Sequence, residues 1–212
     1  MRASYRSRPV VVRALLLAWL PFTPRVVLPV AVTGAVGVDH DDAYVYQLPY
    51  DVGVDYLVMQ SYGSRFSHTG REFYTVDFAM PEGTTVHAAR EGVVRGVDAS
   101  NSLGCLLAGC EAFANHVIVE HSDGTLGEYF HLQEGGVLVE EGDFVARGQP
   151  IALSGNTGYS NSPHLHFGVY TIGATGQPRS IEVRFATTAG LVRRLRVGHR
   201  YRNVEADRFA QH

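Results

Sequence analysis

The sequence predicts an all-β domain, a mostly antiparallel sheet or sandwich with a groove over one sheet. Glycine is abundant, at 23 residues, and valine runs through the middle of the chain, a pairing that favours short strands joined by tight turns. From His68 to Tyr170, segments rich in Val, Ile, Phe and Tyr alternate with glycine, which is typical of successive strands. The same region contains no long window with helical periodicity.

Composition excludes several other classes of protein. The chain has 212 residues, with 45% hydrophobic and 18% charged, so it can build a core and suits one domain with extensions. The formal net charge is −3, and this balance gives no electrostatic basis for binding nucleic acid. Ten histidines make the imidazole side chains the first place to look for chemistry.

The first 38 residues read as a signal-like leader. Arginines precede the apolar run Ala14–Leu20, and a second apolar stretch, Val26–Val38, contains small residues suited to cleavage. Neither run is long enough to span a bilayer. We therefore expect export to the periplasm or cell exterior without a stable membrane span; the alternatives are an uncleaved membrane-proximal leader or a misplaced start codon.

Three further segments follow the leader. Residues 39–60 form an entry segment, residues 61–175 form the main domain, and residues 176–212 supply a strand and a tail. Within the main domain, Asp123-Gly124 is a strong hairpin signal. The turn-then-strand unit at 82–88 also echoes that at 141–146, which favours two related β units folded on each other.

The two cysteines, Cys105 and Cys110, lie five residues apart. In an oxidising compartment they would close a small disulfide loop, which we place first. Half a metal site is the alternative, but no second Cys pair completes it. A pair of reduced structural thiols is the remaining alternative.

The motif Ser162-Pro163-His164-Leu165-His166-Phe167 is the sharpest chemical signal. Residues two apart in a strand point to one face, so His164 and His166 project together while Leu165 and Phe167 face the apolar side. Such a pair could share a metal, or one imidazole could bind metal while the other assists a reaction. Two surface histidines on an exposed strand are the alternative.

Two other positions add to this signal. Asp77 lies in an apolar run, nine residues after His68, and a buried carboxylate needs a metal or a set of hydrogen-bond donors. Alternation along LGEYFHL places Tyr129 and His131 on one face, with Phe130 and Leu132 on the other. His131 would then point into a groove, or be a half-exposed strand histidine.

Taken together, two histidines and one aspartate suit a zinc site with a fourth position open for water. Zinc lowers the pKa of bound water and polarises a carbonyl. The sequence has no His-Glu-x-x-His helix to supply a glutamate base, so the remaining histidines would handle the proton.

The chain resembles the lysostaphin-type (LytM-like) zinc endopeptidases of peptidoglycan. The resemblance runs from about Tyr56 to Tyr170 and rests on three segments in order: SHTGREFYTVDFAMPEGTTVHAAREGVV, NHVIVEHSDGTLGEYFHL and GDFVARGQPIALSGNTGYSNSPHLHF. It implies a duplicated hybrid-type β fold, with residues 61–175 as the metallopeptidase domain. The implied activity is hydrolysis of peptide cross-links of bacterial peptidoglycan by a monomer holding one zinc ion.

The resemblance also implies roles for individual residues. The metal-binding aspartate falls on Asp77 and the second histidine of the pair, a ligand, on His166. The catalytic histidines fall on His164 and His131, and Tyr62 matches a tyrosine that helps hold the oxyanion.

One departure concerns the remaining ligand. The family pattern places a metal histidine four residues before the aspartate, and here that position is Phe73. We predict His68 as the ligand instead, across a longer connection, with the loop Gly155–Ser162 as a groove wall.

Two rival functions remain at this point. The first is a catalytically inactive cell-wall regulator or peptidoglycan-binding scaffold on the same fold, which an incomplete ligand set would favour. The second is a carrier module, suggested by the hairpin GDFVARGQPIALSG, but no lysine lies near its turn to be modified.

Overall fold

The structure, a computed structural model, describes residues 40–41, 43–173 and 176–209. The leader predicted for residues 1–38 lies outside this part of the chain. Within it there are only strands and three short 3-10 turns, Gly70–Glu72, Cys110–Phe113 and Ala206–Phe209, so the all-β prediction is confirmed. No helix in the described ranges has the length and apolar character needed to cross a membrane.

The strands follow one another along the whole described chain. They are β1 (Val45–Tyr46), β2 (Asp55–Gln60), β3 (Val76–Phe78), β4 (Thr85–His87), β5 (Gly92–Asp98), β6 (Gly104–Cys105), β7 (His116–Glu120), β8 (Leu126–Phe130), β9 (Leu132–Val137), β10 (Phe144–Val145), β11 (Pro150–Ser154), β12 (Gly158–Tyr159), β13 (Leu165–Ile172), β14 (Pro178–Ser180), β15 (Arg184–Thr187), β16 (Gly190–Val192) and β17 (Arg200–Arg202).

A nine-stranded sheet organises the fold. Its order is β10-β5-β7-β8-β13-β3-β2-β17, with β14 beside β13. Every described pair in this sheet is antiparallel, and the two parallel pairs, β1 with β15 and β6 with β12, lie in smaller sheets. The fold is therefore mostly antiparallel, as predicted. The entry segment contributes β2 and the tail contributes β14 and β17, so this sheet extends beyond residues 61–175.

The predicted hairpin at Asp123-Gly124 is confirmed. It joins β7 to β8, which pair in antiparallel register. Gly124 has a φ of 76°, a left-handed conformation that glycine adopts without steric cost. Asp123 closes the turn because its carboxylate accepts hydrogen bonds from the backbone and hydroxyl of Thr125.

The internal repeat at residues 82–88 and 141–146 corresponds to two β units that pair with each other. The first unit supplies β4 and β5, the second supplies β10 and β11, and each unit pairs with the other: β4 with β11 and β5 with β10. The turn glycines also bond across the two units: the backbone N–H of Gly83 donates to the carbonyl of Ser154, and that of Gly142 donates to the carbonyl of Val94. The duplication predicted from sequence is therefore present in the fold.

The centre of the nine-stranded sheet separates core from groove. Val76 and Phe78 of β3, with Leu165 and Phe167 of β13, are buried in the hydrophobic core. The residues between them point to the opposite face. Asp77 and His166 lie directly opposite each other in the β3–β13 register, so the pairing of two central strands brings these side chains together.

A buried histidine outside the groove should make folding stability sensitive to acid. His121 hydrogen-bonds the carbonyl of Glu91 at 2.9 Å through Nδ1, and burial lowers its pKa to about 4. Below pH 6.5 the unfolded state therefore binds a proton that the folded state does not, so stability falls as pH falls toward 4. Between pH 7 and 4.5, the free energy of unfolding of His121→Asn, which keeps a donor for Glu91, should fall by roughly 2 kcal/mol less than that of the wild type.

Urea unfolding of both proteins at the two pH values measures this difference. Equal losses of stability in wild type and variant would contradict the assignment.

Candidate metal centre

Three side chains converge at one end of the groove. His68 Nε2 lies 3.1 Å and His166 Nδ1 lies 2.8 Å from the same oxygen, Oδ1 of Asp77. One ligand atom from each residue lies within 4.8 Å of the other two. The structure thus brings together the three residues that the sequence nominated as metal ligands.

The hydrogen bonds around this group suit a cation. His68 Nδ1 lies 3.2 Å from the carbonyl of Ser61, and donation to that carbonyl leaves a lone pair on Nε2 facing the Asp77 carboxylate. Two lone pairs facing each other in a buried place repel unless a proton or a metal ion lies between them. Two imidazoles and one carboxylate are ligands that zinc prefers, so the residues present fit this ion.

The local electrostatics point the same way. Burial raises the pKa of Asp77, but hydrogen bonds from His166 and His68 outweigh it and hold the pKa well below its usual value. Burial lowers the pKa of His166, whereas its contacts with Asp77 and Glu72 raise the pKa to about 9. Without a metal, the protonated His166 ring therefore provides positive charge beside Asp77. A bound divalent ion would provide that charge instead.

The long connection from His68 to Asp77 folds into a compact turn. It contains the 3-10 turn Gly70–Glu72, and Gly63 donates to the carbonyl of Phe73 at 2.9 Å, closing the base of the loop. His68 is fully buried. The additional residues are accommodated within this loop, and the His68 ring still reaches Asp77.

Two further imidazoles, His131 and His164, lie beside the three ligands. Their ring centroids are 4.6 Å apart, and Nε2 of His164 lies 3.9 Å from Asp77 Oδ2. Each ring is held through Nδ1 by a backbone carbonyl: that of Thr157 at 2.6 Å for His131, and that of Ser162 at 2.8 Å for His164. Both side chains line the groove, and their Nε2 atoms remain available for chemistry.

The predicted alternation around His131 is wrong. Tyr129 is buried in the core, whereas Phe130 and His131 both line the groove. The reason is that β8 ends at Phe130 and His131 has a φ of 65°, the only described non-glycine residue with positive φ. Such a left-handed conformation costs energy and recurs at functional sites, and here it redirects the imidazole into the groove.

Burial sets the charge state of His131. Burial, followed by the neighbouring His164 and His166, lowers the pKa of this imidazole to about 3. The Thr157 carbonyl and Asp77 raise the pKa by less. His131 is therefore neutral at physiological pH, and donation from Nδ1 to the Thr157 carbonyl leaves its lone pair on Nε2.

The groove has a volume of about 850 Å³. The loop Gly155–Ser162 forms one wall, as predicted, through Tyr159, Ser160, Asn161 and Ser162. Tyr159 stacks on the exposed ring of Phe66 with centroids 6.1 Å apart. The groove therefore combines a polar, imidazole-rich end with an aromatic wall, and it is open enough to admit an extended chain.

A disulfide joins Cys105 to Cys110 and closes a short loop at the groove. Leu106 from this loop and the adjacent Glu111 line the groove. The loop is held to the wall segment Gly155–Ser162 because β6 pairs with β12. The disulfide thus braces a groove wall.

Replacing both Cys105 and Cys110 with serine should lower the free energy of unfolding by about 2 kcal/mol, the entropy expected for a loop this short. Urea unfolding with and without reductant measures the change. Reductant should destabilise the wild type and leave the serine variant unaffected. A wild type insensitive to reductant would contradict a stabilising disulfide.

The structure does not bring Tyr62 to the groove. Its ring packs edge-on against Tyr74, and its hydroxyl lies 3.5 Å from the backbone nitrogen of Val183. The side chain is almost fully buried and is absent from the groove lining. An oxyanion role for Tyr62 therefore has no geometric support.

Sequence reasoning missed Gln60. Its Nε2 donates to Asp77 Oδ2 at 2.7 Å, because a register shift between β2 and β3 sets Gln60 opposite Asp77. A polar residue ending the apolar strand DYLVMQ was the available signal. The backbone carbonyls of Ser61, Thr157 and Ser162 could not be singled out from the sequence, because every residue has a backbone carbonyl.

The sequence of this chain is similar to those of known proteins. The model for peptidase family M23 matches residues 71–179. The peptidoglycan DD-endopeptidase ShyA of Vibrio cholerae is 39% identical over 92 residues, 43% of this chain and 18% of its own length. Lysostaphin of Staphylococcus simulans is 39% identical over 99 residues, 46% of this chain and 18% of its own.

A solved structure of a zinc-containing peptidase from Vibrio cholerae is 30% identical, with a TM-score of 0.46, covering 65% of this chain and 39% of that one. The two curated relatives extend well beyond the match, which spans about a fifth of their lengths.

Proposed function

The chain belongs to peptidase family M23, and we propose that it is a zinc-dependent endopeptidase that hydrolyses peptide cross-links of bacterial peptidoglycan. One observation carries the proposal: His68, Asp77 and His166 converge on one point, and two of these residues, Asp77 and His166, line a groove that also holds two further imidazoles. A purely structural role would not require three side chains of metal-ligand type beside two further imidazoles. The peptidoglycan endopeptidases among the relatives support the choice of substrate.

His68 through Nε2, Asp77 through its carboxylate and His166 through Nδ1 would hold the ion. Bound zinc supplies a Lewis acid that polarises a peptide carbonyl and makes water more acidic. Gln60, which donates to the second oxygen of Asp77, keeps that carboxylate oriented. The Ser61 carbonyl does the same for the His68 ring.

His131 and His164 handle the proton. Because Nδ1 of His131 donates to the Thr157 carbonyl, its Nε2 accepts a proton of the attacking water and returns that proton to the leaving amine. His164 donates to the Ser162 carbonyl through Nδ1, and in its doubly protonated form it also donates a hydrogen bond from Nε2 to the oxyanion. The aromatic wall of Phe66 and Tyr159 orients the substrate chain along the groove.

The protein is proposed to work outside the cytoplasm, at the envelope where its substrate lies. ShyA, which is named as a peptidoglycan DD-endopeptidase, supports this location. We propose activity as a monomer because all three proposed ligands and the two further imidazoles come from the same chain.

Incubation of the purified protein with isolated peptidoglycan tests the proposal. New free amines should accumulate, stop accumulating when a chelator is added, and resume when zinc is restored. His199→Ala, an exposed substitution outside the groove, serves as the matched control. Zinc binding without any release of amines would instead favour the rival function, a non-catalytic regulator on the same fold.

A further inference from the structure

Glu72 makes a contact that the ligand set leaves unexplained. It lies in the 3-10 turn Gly70–Glu72, within the connection between His68 and Asp77, and its side chain lines the groove. Its Oε2 lies 3.6 Å from Nε2 of His166, an ion-pair distance slightly longer than a hydrogen bond. The carboxylate therefore faces the ring nitrogen of His166 that is turned away from Asp77.

Neighbouring residues fix both oxygens of Glu72. Tyr170 donates its hydroxyl hydrogen to Oε2, and Nε of Arg71 lies 2.9 Å from Oε1. Arg71 is itself fixed, because Nη2 lies 2.8 Å from the buried carboxylate of Glu128 and its guanidinium lies over the Tyr170 ring. A carboxylate held at both oxygens keeps one orientation toward its neighbour.

The two nitrogens of His166 consequently meet different carboxylates. Nδ1 lies 2.8 Å from Asp77 Oδ1, at the metal site, and Nε2 faces Glu72. A neutral imidazole carries one hydrogen, and the partner of one nitrogen decides which tautomer forms. A hydrogen on Nε2 directed at Glu72 leaves the Nδ1 lone pair free for a metal.

We propose that Glu72 is a positioning residue that selects the Nδ1-ligating tautomer of His166 and orients its ring. The inference rests on the proposed zinc site. The longer connection between His68 and Asp77 thereby has a role, because it contains Glu72, whose carboxylate faces the third ligand, His166. Such partners of ligand histidines raise metal affinity.

Zinc affinity of the metal-free protein, measured by competition with a chromophoric chelator, tests this role. Glu72→Gln should weaken zinc binding by about 10- to 100-fold while the metal-free protein still folds. Glu111→Gln is the matched control, because Glu111 lines the same groove but its carboxylate accepts only from the Gly109 backbone among the described hydrogen bonds. It should leave zinc affinity unchanged.

A spectroscopic signature separates positioning from general structural support. Imidazole ¹⁵N–¹H correlation spectra of the zinc-loaded wild type should place the hydrogen of His166 on Nε2. Should Glu72→Gln fail to fold, Tyr170→Phe, which removes only the hydroxyl that fixes Glu72, should lower zinc affinity in the same direction by a smaller factor.

Tight zinc binding by wild type and equal binding by Glu72→Gln would overturn the inference while leaving the proposed function standing. A hydrogen on Nδ1 of His166 in the zinc-loaded protein would also overturn it. No zinc binding by the wild type would overturn the inference together with the proposed function.

Discussion

Replacing His68 with alanine should abolish stoichiometric zinc binding and reduce peptidoglycan hydrolysis by at least about 10³-fold. The metal's contribution is worth several kcal/mol of transition-state stabilisation, and each 1.36 kcal/mol is a factor of ten in rate. His68 is fully buried and faces Asp77 at 3.1 Å, so no other side chain occupies its place. Metal analysis after dialysis and the amine-release assay measure the two effects.

A second variant isolates the role of the unusual spacing. Adding Phe73→His to His68→Ala restores a histidine four residues before Asp77, yet it should not restore zinc. The Phe73 ring packs against Tyr74 with centroids 4.8 Å apart and contacts Gly63, and it does not line the groove. Zinc content equal to wild type in His68→Ala would remove His68 from the ligand set.

Replacing His131 with asparagine should lower kcat/KM by about 10²- to 10⁴-fold, the usual contribution of a general base, while zinc content stays at wild-type level. Asparagine is the informative substitution because His131 has a φ of 65°, a conformation that asparagine tolerates better than most residues. Alanine at this position would add backbone strain to the loss of the imidazole. Metal analysis and steady-state kinetics on the same preparation separate the two quantities.

His116→Asn is the matched control for His131→Asn. His116 lies on the neighbouring strand β7 with its ring 5.4 Å from that of Phe130, but it does not line the groove. Its replacement should leave kcat/KM near the wild-type value. Retention of full activity by His131→Asn would show that proton acceptance resides elsewhere.

Much of the fold was predictable from local signals. The glycine-punctuated Val-rich segments indicated antiparallel strands, and Asp123-Gly124 marked a hairpin whose turn needs positive φ. The period-two pattern around His164 and His166 predicted one polar and one apolar face, and Leu165 and Phe167 are indeed buried. These features depend on residues close in sequence, where the chemistry of each position is sufficient.

The parts that escaped prediction depend on contacts between distant segments. The alternation through His131 failed because the chain turns there with positive φ, which a strand pattern does not encode. Tyr62 was assigned from the family resemblance, but tertiary packing places its ring against Tyr74. Glu72 reaches His166 across 94 positions of sequence because of the fold of the loop, and periodicity carries no information about such a contact.

The location of zinc in a crystal of the zinc-loaded protein, determined by anomalous scattering at the zinc edge, tests the central claim most directly. We expect one strong peak at the groove, within bonding distance of Nε2 of His68, the carboxylate of Asp77 and Nδ1 of His166, with Glu72 on the far side of the His166 ring. A peak bound without His68, or one held by Nε2 of His166 and Glu72, would contradict it.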